Sequence, residues 1–294
     1  MKKEHSSSTA DSVAASRAQD SLRPPGERTI DDPYAAMFAG RINRALLGLG
    51  RVKWIRDFVT AHYDRKFPGV MGEAVFRTAK IDAILSQAIR DTGAPLQIVI
   101  LGAGFDSRSL RLVEPSRGAH CRWFEVDHPA TQKRKQQILA SSRLDSPSRF
   151  VAVDFQSSSL NQLLSAGFDP KTPSIFVMEG VSYYLTESAF EETLSWIRKH
   201  SPSSRLVFNF LVKSFMENPD SFFGGRRIMD HVVAVGEPFL LGFHPEHLAD
   251  WLRKRGFELA SEESVEAYAR PLLGARKSVY YFSELFRIAQ ARAV

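Results

Sequence analysis

Two glycines directly follow a strand-like run in the first half of the chain and are candidates for holding a nucleotide-like ligand. The apolar run QIVIL ends at residue 101, and Gly102 and Gly104 come next. Glycine lets the backbone turn sharply and lets a ligand approach closely, because no Cβ is in the way. Ligands of open parallel sheets bind outside the carboxyl ends of the strands, so this turn is the predicted binding site.

The residues after the turn indicate which ligand would fit. Dinucleotide sites usually carry a third glycine, but Ser107 stands at that position and Asp106 precedes it. The Asp106 carboxylate would repel a pyrophosphate, whereas it suits a positively charged ligand without phosphate. S-adenosylmethionine carries a sulfonium and an ammonium group and is therefore the predicted cofactor. A nicotinamide-dependent oxidoreductase is the alternative, because it would share the glycine turn and an acid for the ribose.

Acidic residues end three further strand-like runs, where they would reach the same edge of a sheet. Asp127 ends CRWFEVD and is the expected partner of the ribose hydroxyls. Asp154 and Phe155 end RFVAVDF, where the acid can accept from the adenine amino group and the ring supplies apolar or stacking area. Glu179 follows SIFVM and would face the methionine end of the cofactor. Each acid alone could instead cap a helix, but three in succession favour a shared site.

Strand-like runs alternate with helical patterns through the middle of the chain. Ile81, Leu85 and Ile89 recur every four residues, which predicts one apolar helix face before the first strand. Apolar strands alternating with helices indicate a parallel sheet covered on both faces. We expect an α/β fold with a seven-stranded, mostly parallel, Rossmann-like sheet and added N-terminal helices. The predicted strands are residues 97–101, 121–127, 149–155, 174–180, 205–212, 257–264 and 278–286.

The domain organisation predicted from composition is one domain with a tail. Residues 1–28 are rich in Ser, Ala, Pro and charge without an apolar period, and they are expected to be mobile, with a short helix at most near VAASRAQ. Residues 29–294 are expected to form a single domain. The segment at about 211–243 interrupts the strand–helix rhythm and is predicted to be a lid insertion over the carboxyl ends of the strands, and residues 211–247 are expected to select the second substrate.

The composition excludes several classes of protein. Lysine and arginine number 39 against 33 acids, a net charge of +6, but the basic residues are spread along the chain, so no nucleic-acid partner is expected. The longest apolar runs are too short to span a bilayer, and no secretory signal is visible. Cys121 is the one cysteine, so no intrachain disulfide can form. A cytoplasmic protein without a membrane partner is expected.

Several ordered blocks together resemble the leucine carboxyl methyltransferase family of S-adenosylmethionine-dependent enzymes. The resemblance spans roughly Arg17 to Phe282. It implies a class I methyltransferase fold and O-methyltransferase activity. The blocks are IDDPYAAMF, FRTAKID, ILGAGFDSRSLRL, FEVDHPATQKRK, AVDF and MEGVSYYLTE.

The resemblance also implies roles for individual residues. Arg77 would pair with the carboxylate of the cofactor, which agrees with the ability of a guanidinium to grip a carboxylate. Gly102 would contact the cofactor through its backbone. The resemblance assigns the ribose to Asp127, the adenine to Asp154 and Phe155, and the amino-acid end to Glu179. The family often has Leu where Phe155 stands.

The residues that would meet the methyl acceptor are marked less clearly. Tyr184 is the candidate catalytic residue because it could orient an oxygen nucleophile, and Tyr183 and His244 are candidate substrate-binding residues. His244 and His247 lie three apart, but no third ligand accompanies them, so no metal site is predicted.

The expected acceptor is a small-molecule carboxylate that becomes a methyl ester. A carboxylate is ionised at neutral pH and needs no general base. A phenolic natural product, which would benefit from a base, and a protein C-terminal carboxylate are the alternatives. A module that binds the cofactor without catalysis is a further alternative. A monomer or a homodimer is expected.

Overall fold

A central sheet with helices on both faces organises the chain in this computed structural model, which describes residues 8–112, 121–155, 159–273, 280, 282 and 284–294. Among the described residues, five helices and no strand precede β1. The helices are α1 (Ser8–Ser21), α2 (Ala35–Phe38), α3 (Arg41–Leu49), α4 (Lys53–Lys66), α5 (Val70–Asp91), α6 (Arg108–Arg111), α7 (Pro129–Ser141), α8 (Gln162–Ser165), α9 (Glu187–His200), α10 (Lys213–Glu217), α11 (Gly225–Ala234), α12 (Pro245–Arg253) and α13 (Val265–Leu273).

The sheet of the described residues has seven strands in the order β3-β2-β1-β4-β5-β7-β6. Strands β1 to β5 pair in parallel, and β7 runs antiparallel to both β5 and β6. The predicted α/β fold with a mostly parallel sheet is therefore confirmed. The strands are β1 (Leu96–Leu101), β2 (Cys121–Asp127), β3 (Ser148–Ala152), β4 (Ser174–Met178), β5 (Arg205–Leu211), β6 (Phe257–Ser264) and β7 (Phe286–Ala293).

Side chains of β1 alternate between two hydrophobic cores on opposite faces of the sheet. Ile98 and Ile100 enter the first core, which is built with α5, α11 and α13. Val99 and Leu101 enter the second core, which is built with α8, α9 and α12. All six residues of β1 are buried, as expected for a central strand whose two faces are both covered. The strand order reverses between β1 and β4, so a crevice is expected at their carboxyl ends.

The last strand lies further along the chain than the sequence predicted. The prediction placed it at 278–286, a segment of which residues 278, 279, 281 and 283 lie outside the described residues. The structure instead has β7 at Phe286–Ala293. Ile288 enters the core with α5, α11 and α13, whereas Ala289 and Ala291 enter the core on the other face, so β7 is buried on both sides where it pairs with β5 and β6.

Residues 8–21 form a packed helix within the N-terminal segment for which the sequence predicted a mobile tail. Helix α1 contains Ala14 and Ala18, both buried, at a spacing of one turn. Its Arg17 Nε lies 3.0 Å from Asp32 Oδ2, and its Asp20 accepts a hydrogen bond of 2.7 Å from the Tyr280 hydroxyl. Small alanines allow close packing but carry little apolar signal, which is why composition alone suggested disorder.

The insertion predicted at about 211–243 contains α10 and α11, and its two ends lie side by side. A parallel bridge joins Val212 to Phe243, next to the end of β5. Helix α11 buries Ile228 and Val232 against the first core. None of the described helices combines the length and the hydropathy that crossing a bilayer requires.

A buried ion pair between β2 and α7 gives a test of the packing. Lys135 is 2% exposed, and its ammonium group donates to the Glu125 carboxylate and to the Asp106 carbonyl. Replacing Lys135 with Met should lower the free energy of unfolding by about 3–5 kcal/mol, because Glu125 would remain buried without its cation. Chemical denaturation measures this difference.

The exposed neighbour Lys133 provides the control for that measurement. Lys133→Met should change the free energy of unfolding by no more than about 0.5 kcal/mol. Equal stability of the two variants would contradict a structural role for the Lys135–Glu125 pair.

Candidate functional site

A cavity of about 530 Å³ opens at the carboxyl ends of the first four strands. This volume lies within the range of about 300–1,000 Å³ that is usual for small-molecule sites. It is lined by Thr9, Ala10, Val13, Arg17, Arg77, Ile100, Gly102, Ala103, Gly104, Phe105, Asp106, Asp127, His128, Thr131, Val153, Asp154, Phe155, Glu179, Gly180, Val181, Tyr184, Leu185, Gly236, Glu237, Pro238 and Leu240. All seven residues predicted to bind the cofactor are among them.

The glycine turn after β1 has a backbone that other residues would strain. Gly102 and Gly104 have φ angles of +69° and +48°. The Gly102 N–H donates to the Val126 carbonyl at 2.8 Å, which ties the turn to β2. A Cβ on Gly102 would lie 2.2 Å from the side chain of Val181, so glycine is required there for packing as well as for conformation.

Asp127 faces this turn from the end of β2. Its carboxylate accepts the Gly104 N–H at 2.5 Å and the His128 N–H at 2.6 Å. Burial raises the pKa of Asp127 above its usual value, and the two backbone hydrogen bonds oppose that rise. A carboxylate has about four acceptor positions, so Asp127 can still accept from hydroxyls of a ligand.

Arg77, on α5, and Glu179, at the end of β4, form an ion pair in one wall of the cavity. Arg77 Nε lies 3.1 Å from Glu179 Oε1, and Arg77 Nη1 donates to the Tyr183 hydroxyl at 3.2 Å. Burial alone would raise the pKa of Glu179, but Arg108 and Arg77 hold it well below the usual range. Glu179 therefore stays ionised at physiological pH.

Arg108 anchors this wall from behind the cavity. Its guanidinium is 1% exposed and contacts three carboxylates that come from α5, the glycine turn and the end of β4. Burial opposes its charge, but these carboxylates raise the pKa of Arg108 well above the usual value. The partners are Asp82 at 2.6 Å, Asp106 at 2.5 Å and Glu179 at 2.5 Å.

The arrangement fits S-adenosylmethionine by the chemistry of its donor groups. An ionised acid beside an arginine can hold the ammonium and the carboxylate of an amino acid, which are the roles expected of Glu179 and Arg77. Asp127 offers acceptors for ribose hydroxyls next to the turn. Asp154 and Phe155, after β3, line the same cavity with a carboxylate and an aromatic ring, the groups expected to face the adenine.

Two of the predicted acceptor-binding residues do not line the cavity. Tyr183 is 3% exposed and packs into the first core, while Tyr184, next to it, lines the cavity. His244 precedes α12, with its Nε2 3.5 Å from Glu217 Oε1. Within the described ranges no group of three or more His, Cys, Asp or Glu side chains could hold a metal ion.

Sequence reasoning missed the contribution of α1 to the cavity, and within the predicted insertion it did not identify the individual residues that line it. Helix α1 contributes Thr9, Val13 and Arg17, and Arg17 Nη2 donates to the Phe105 carbonyl at 2.6 Å. Residues 236–240 contribute Glu237 and Leu240. The spacing of Ala10, Ala14 and Ala18 was a usable signal for the helix, whereas nothing local marked Glu237.

The chain is similar to known proteins along most of its length. Residues 10–198 match the model of the family described as Leucine carboxyl methyltransferase. A Rhodococcus jostii protein with the provisional name S-adenosyl-L-methionine-dependent methyltransferase is 32% identical over 276 residues, covering 90% of this chain and 87% of the relative. A Mycobacterium protein with the same provisional name is 35% identical over 262 residues, covering 85% and 82%.

Solved structures share the fold at lower sequence identity. A DUF574 family protein from Streptomyces avermitilis aligns with a TM-score of 0.61 and 14% identity, covering 95% of this chain and 97% of that one. A Thermobifida fusca protein provisionally named a methyltransferase aligns with a TM-score of 0.56 and 17% identity, covering 95% and 94%. These likenesses show the fold alone.

The position of Asp127 gives a test of the ribose site. Asp127→Asn keeps an oxygen for the Gly104 N–H but removes acceptor capacity, so it should weaken binding of S-adenosylhomocysteine by roughly 1–3 kcal/mol. Titration calorimetry measures this change. The exposed Asp145, changed to Asn, is the matched control and should bind as the wild type does. Unchanged affinity of the Asp127 variant would remove this residue from the site.

Proposed function

This chain belongs to the leucine carboxyl methyltransferase family of S-adenosylmethionine-dependent enzymes, and we propose that it transfers the methyl group to an oxygen atom of a small molecule. The observation that carries the proposal is the composition of one cavity lining. The same cavity is lined by the groups that fit the cofactor, by Tyr184 and by apolar side chains. The family description, which specifies a carboxyl group, supports oxygen as the methylated atom.

The proposed cofactor site uses the residues that face the four strand ends. Asp127 holds the ribose, Asp154 and Phe155 the adenine, and Arg77 and Glu179 the amino-acid end. Bound there, S-adenosylmethionine supplies an electrophilic methyl group on a positively charged sulfur. The protein contributes mainly positioning and exclusion of water, because the thioether is already a good leaving group.

Tyr184 is the proposed contact for the acceptor oxygen. Burial raises the pKa of its phenol, and the neighbouring Tyr183 and the charge of Glu237 raise it further. The hydroxyl therefore stays neutral at physiological pH and serves as a hydrogen-bond donor, not as a base. A donor at this position orients an incoming oxygen nucleophile.

A screen of acceptors tests the proposed reaction. Carboxylic acids, phenols and peptides with a free C-terminal carboxylate are incubated with the enzyme and S-adenosylmethionine, and a mass gain of one methylene group is recorded. A small oxygen acceptor should gain the methyl group. Transfer only to peptides, amines or thiols would contradict the proposal, and binding of S-adenosylhomocysteine without any transfer would indicate a non-catalytic module.

Removal of the Tyr184 hydroxyl tests its role separately. Tyr184→Phe should lower kcat about tenfold, which corresponds to the loss of one hydrogen bond of about 1.4 kcal/mol. Affinity for S-adenosylhomocysteine should stay unchanged, because the cofactor groups are intact. Tyr268→Phe, on α13 and outside the cavity lining, is the control. Wild-type turnover of the Tyr184 variant would leave this residue with a packing role only.

A further inference from the structure

Glu237 lines the cavity near Tyr184 and is held there by the way α11 ends. Gly236 has a φ of +78°, and its N–H donates to the Val233 carbonyl at 3.0 Å. The Glu237 N–H donates to the Val232 carbonyl at 2.9 Å. This pair of hydrogen bonds is a Schellman motif, which fixes the first residues beyond a helix. These hydrogen bonds therefore hold the backbone of Glu237 in place, although this residue lies in a loop.

The segment that carries Glu237 is also fixed against Tyr183 and Tyr184. The Leu240 N–H donates to the Tyr183 carbonyl at 2.7 Å, so residues 236–240 lie along the short helical turn Ser182–Tyr184. The Thr9 hydroxyl donates to the Glu237 carboxylate from α1. Three separate parts of the chain thus converge on a half-buried carboxylate, which lines the cavity together with Tyr184.

The charges of the described lining do not suit an anionic acceptor. The lining contains five carboxylates and two guanidinium groups, and each guanidinium is already paired with an acid. Arg17 is bound to Asp32, and Arg77 is bound to Glu179. A carboxylate placed beside Glu237 would meet a like charge in a partly desolvated site, where such repulsion is strong.

The same lining suits a neutral hydroxyl group on an apolar body. A hydroxyl can donate to Glu237 and accept from Tyr184, whereas the wall around them is apolar. His128 is the lining imidazole, but its Nδ1 accepts the Ala130 N–H at 3.2 Å and it directly follows Asp127, the proposed ribose residue. The apolar wall is formed by Ala10, Val13, Val181, Leu185, Pro238 and Leu240.

We propose that the acceptor is a phenol or alcohol and that the Glu237 carboxylate takes the proton from its hydroxyl group. This inference rests on the proposed O-methylation and names its acceptor class and its base. The acceptor oxygen forms a bond to the methyl carbon while the bond from that carbon to sulfur breaks, and the electron pair of the broken bond goes to sulfur. The hydroxyl proton moves to Glu237, and the products are a methyl ether and a neutral thioether.

Matched pairs of acceptors separate this inference from the proposed function. Phenol is compared with benzoic acid, naphthol with naphthoic acid, and cyclohexanol with cyclohexanecarboxylic acid, using wild-type enzyme and S-adenosylmethionine. The hydroxyl member of each reactive pair should have the larger kcat/KM. An equal or larger kcat/KM for the acids would overturn the hydroxyl assignment and leave O-methylation standing. Transfer to neither class would overturn the proposed function itself.

The variant Glu237→Gln tests the base. Its kcat for the best phenol of the panel should fall by roughly 10²–10⁴ at neutral pH, the usual contribution of a general base. Turnover should recover as the pH approaches about 10, because a phenol then loses its proton without help. Calorimetry should give the wild-type affinity for S-adenosylhomocysteine, because Glu237 is not among the residues proposed to hold the cofactor.

The exposed Glu246, changed to Gln, is the matched control and should retain wild-type kcat at every pH. A merely structural role for Glu237 would lower turnover of its variant equally across the pH range. That result, or wild-type kcat in the Glu237 variant at neutral pH, would overturn the assignment of Glu237 as the base.

Discussion

The buried guanidinium of Arg108 is the constraint on which the candidate site depends. A cation that is 1% exposed is tolerated only if carboxylates replace its water, and three of them do so here. Asp82 comes from α5, Asp106 from the glycine turn, and Glu179 from the end of β4. Their distances of 2.5–2.6 Å from one planar group allow a single mutual arrangement of these elements. The same arrangement brings Arg77 and Glu179 together at the cavity wall.

The ionic contacts continue from this centre to the N-terminal helix. Arg111 pairs with Asp82 at 2.5 Å, and it also lies 3.6 Å from Asp32, the partner of Arg17. Burial would raise the pKa of Asp32, but Arg17 and Arg111 hold it below its usual value. Helix α1 is thus attached to the turn by charge as well as by packing. One network therefore positions both the cofactor groups and the helix that covers them.

The sequence was informative where local pattern and sheet geometry coincide. Apolar strands alternating with helices predicted the sheet, and Asp127, Asp154 and Glu179 could be found because parallel strands end at one edge. The packing of helix α1 was missed because its buried residues are small or polar, such as Ala14, Arg17 and Asp20, and β7 was misplaced because FRIAQARA is less apolar than the segment before it. Glu237 could not be found from local pattern, since its position depends on a helix cap and on contacts with distant residues.

The candidate acceptor-binding residues also show what could not be predicted from the sequence. Tyr183 and Tyr184 are adjacent and alike in type, yet the turn Ser182–Tyr184 directs one into the core and the other into the cavity. His244 had the chemistry of a substrate contact but lies beyond the bridge between Val212 and Phe243. Residue type predicts which groups could react, whereas only tertiary packing determines which of them meet.

The place of β7 in the sheet has a consequence for synthesis on the ribosome. Strand β7 is the central partner of β5 and β6, but it follows both of them in the chain. Until its residues have left the exit tunnel, β5 and β6 each present an edge of unpaired backbone groups, which is the feature that promotes association between chains. The nascent chain is therefore most exposed to association with other copies in the interval between the emergence of β6 and that of β7, when β1 to β5 have already been synthesised.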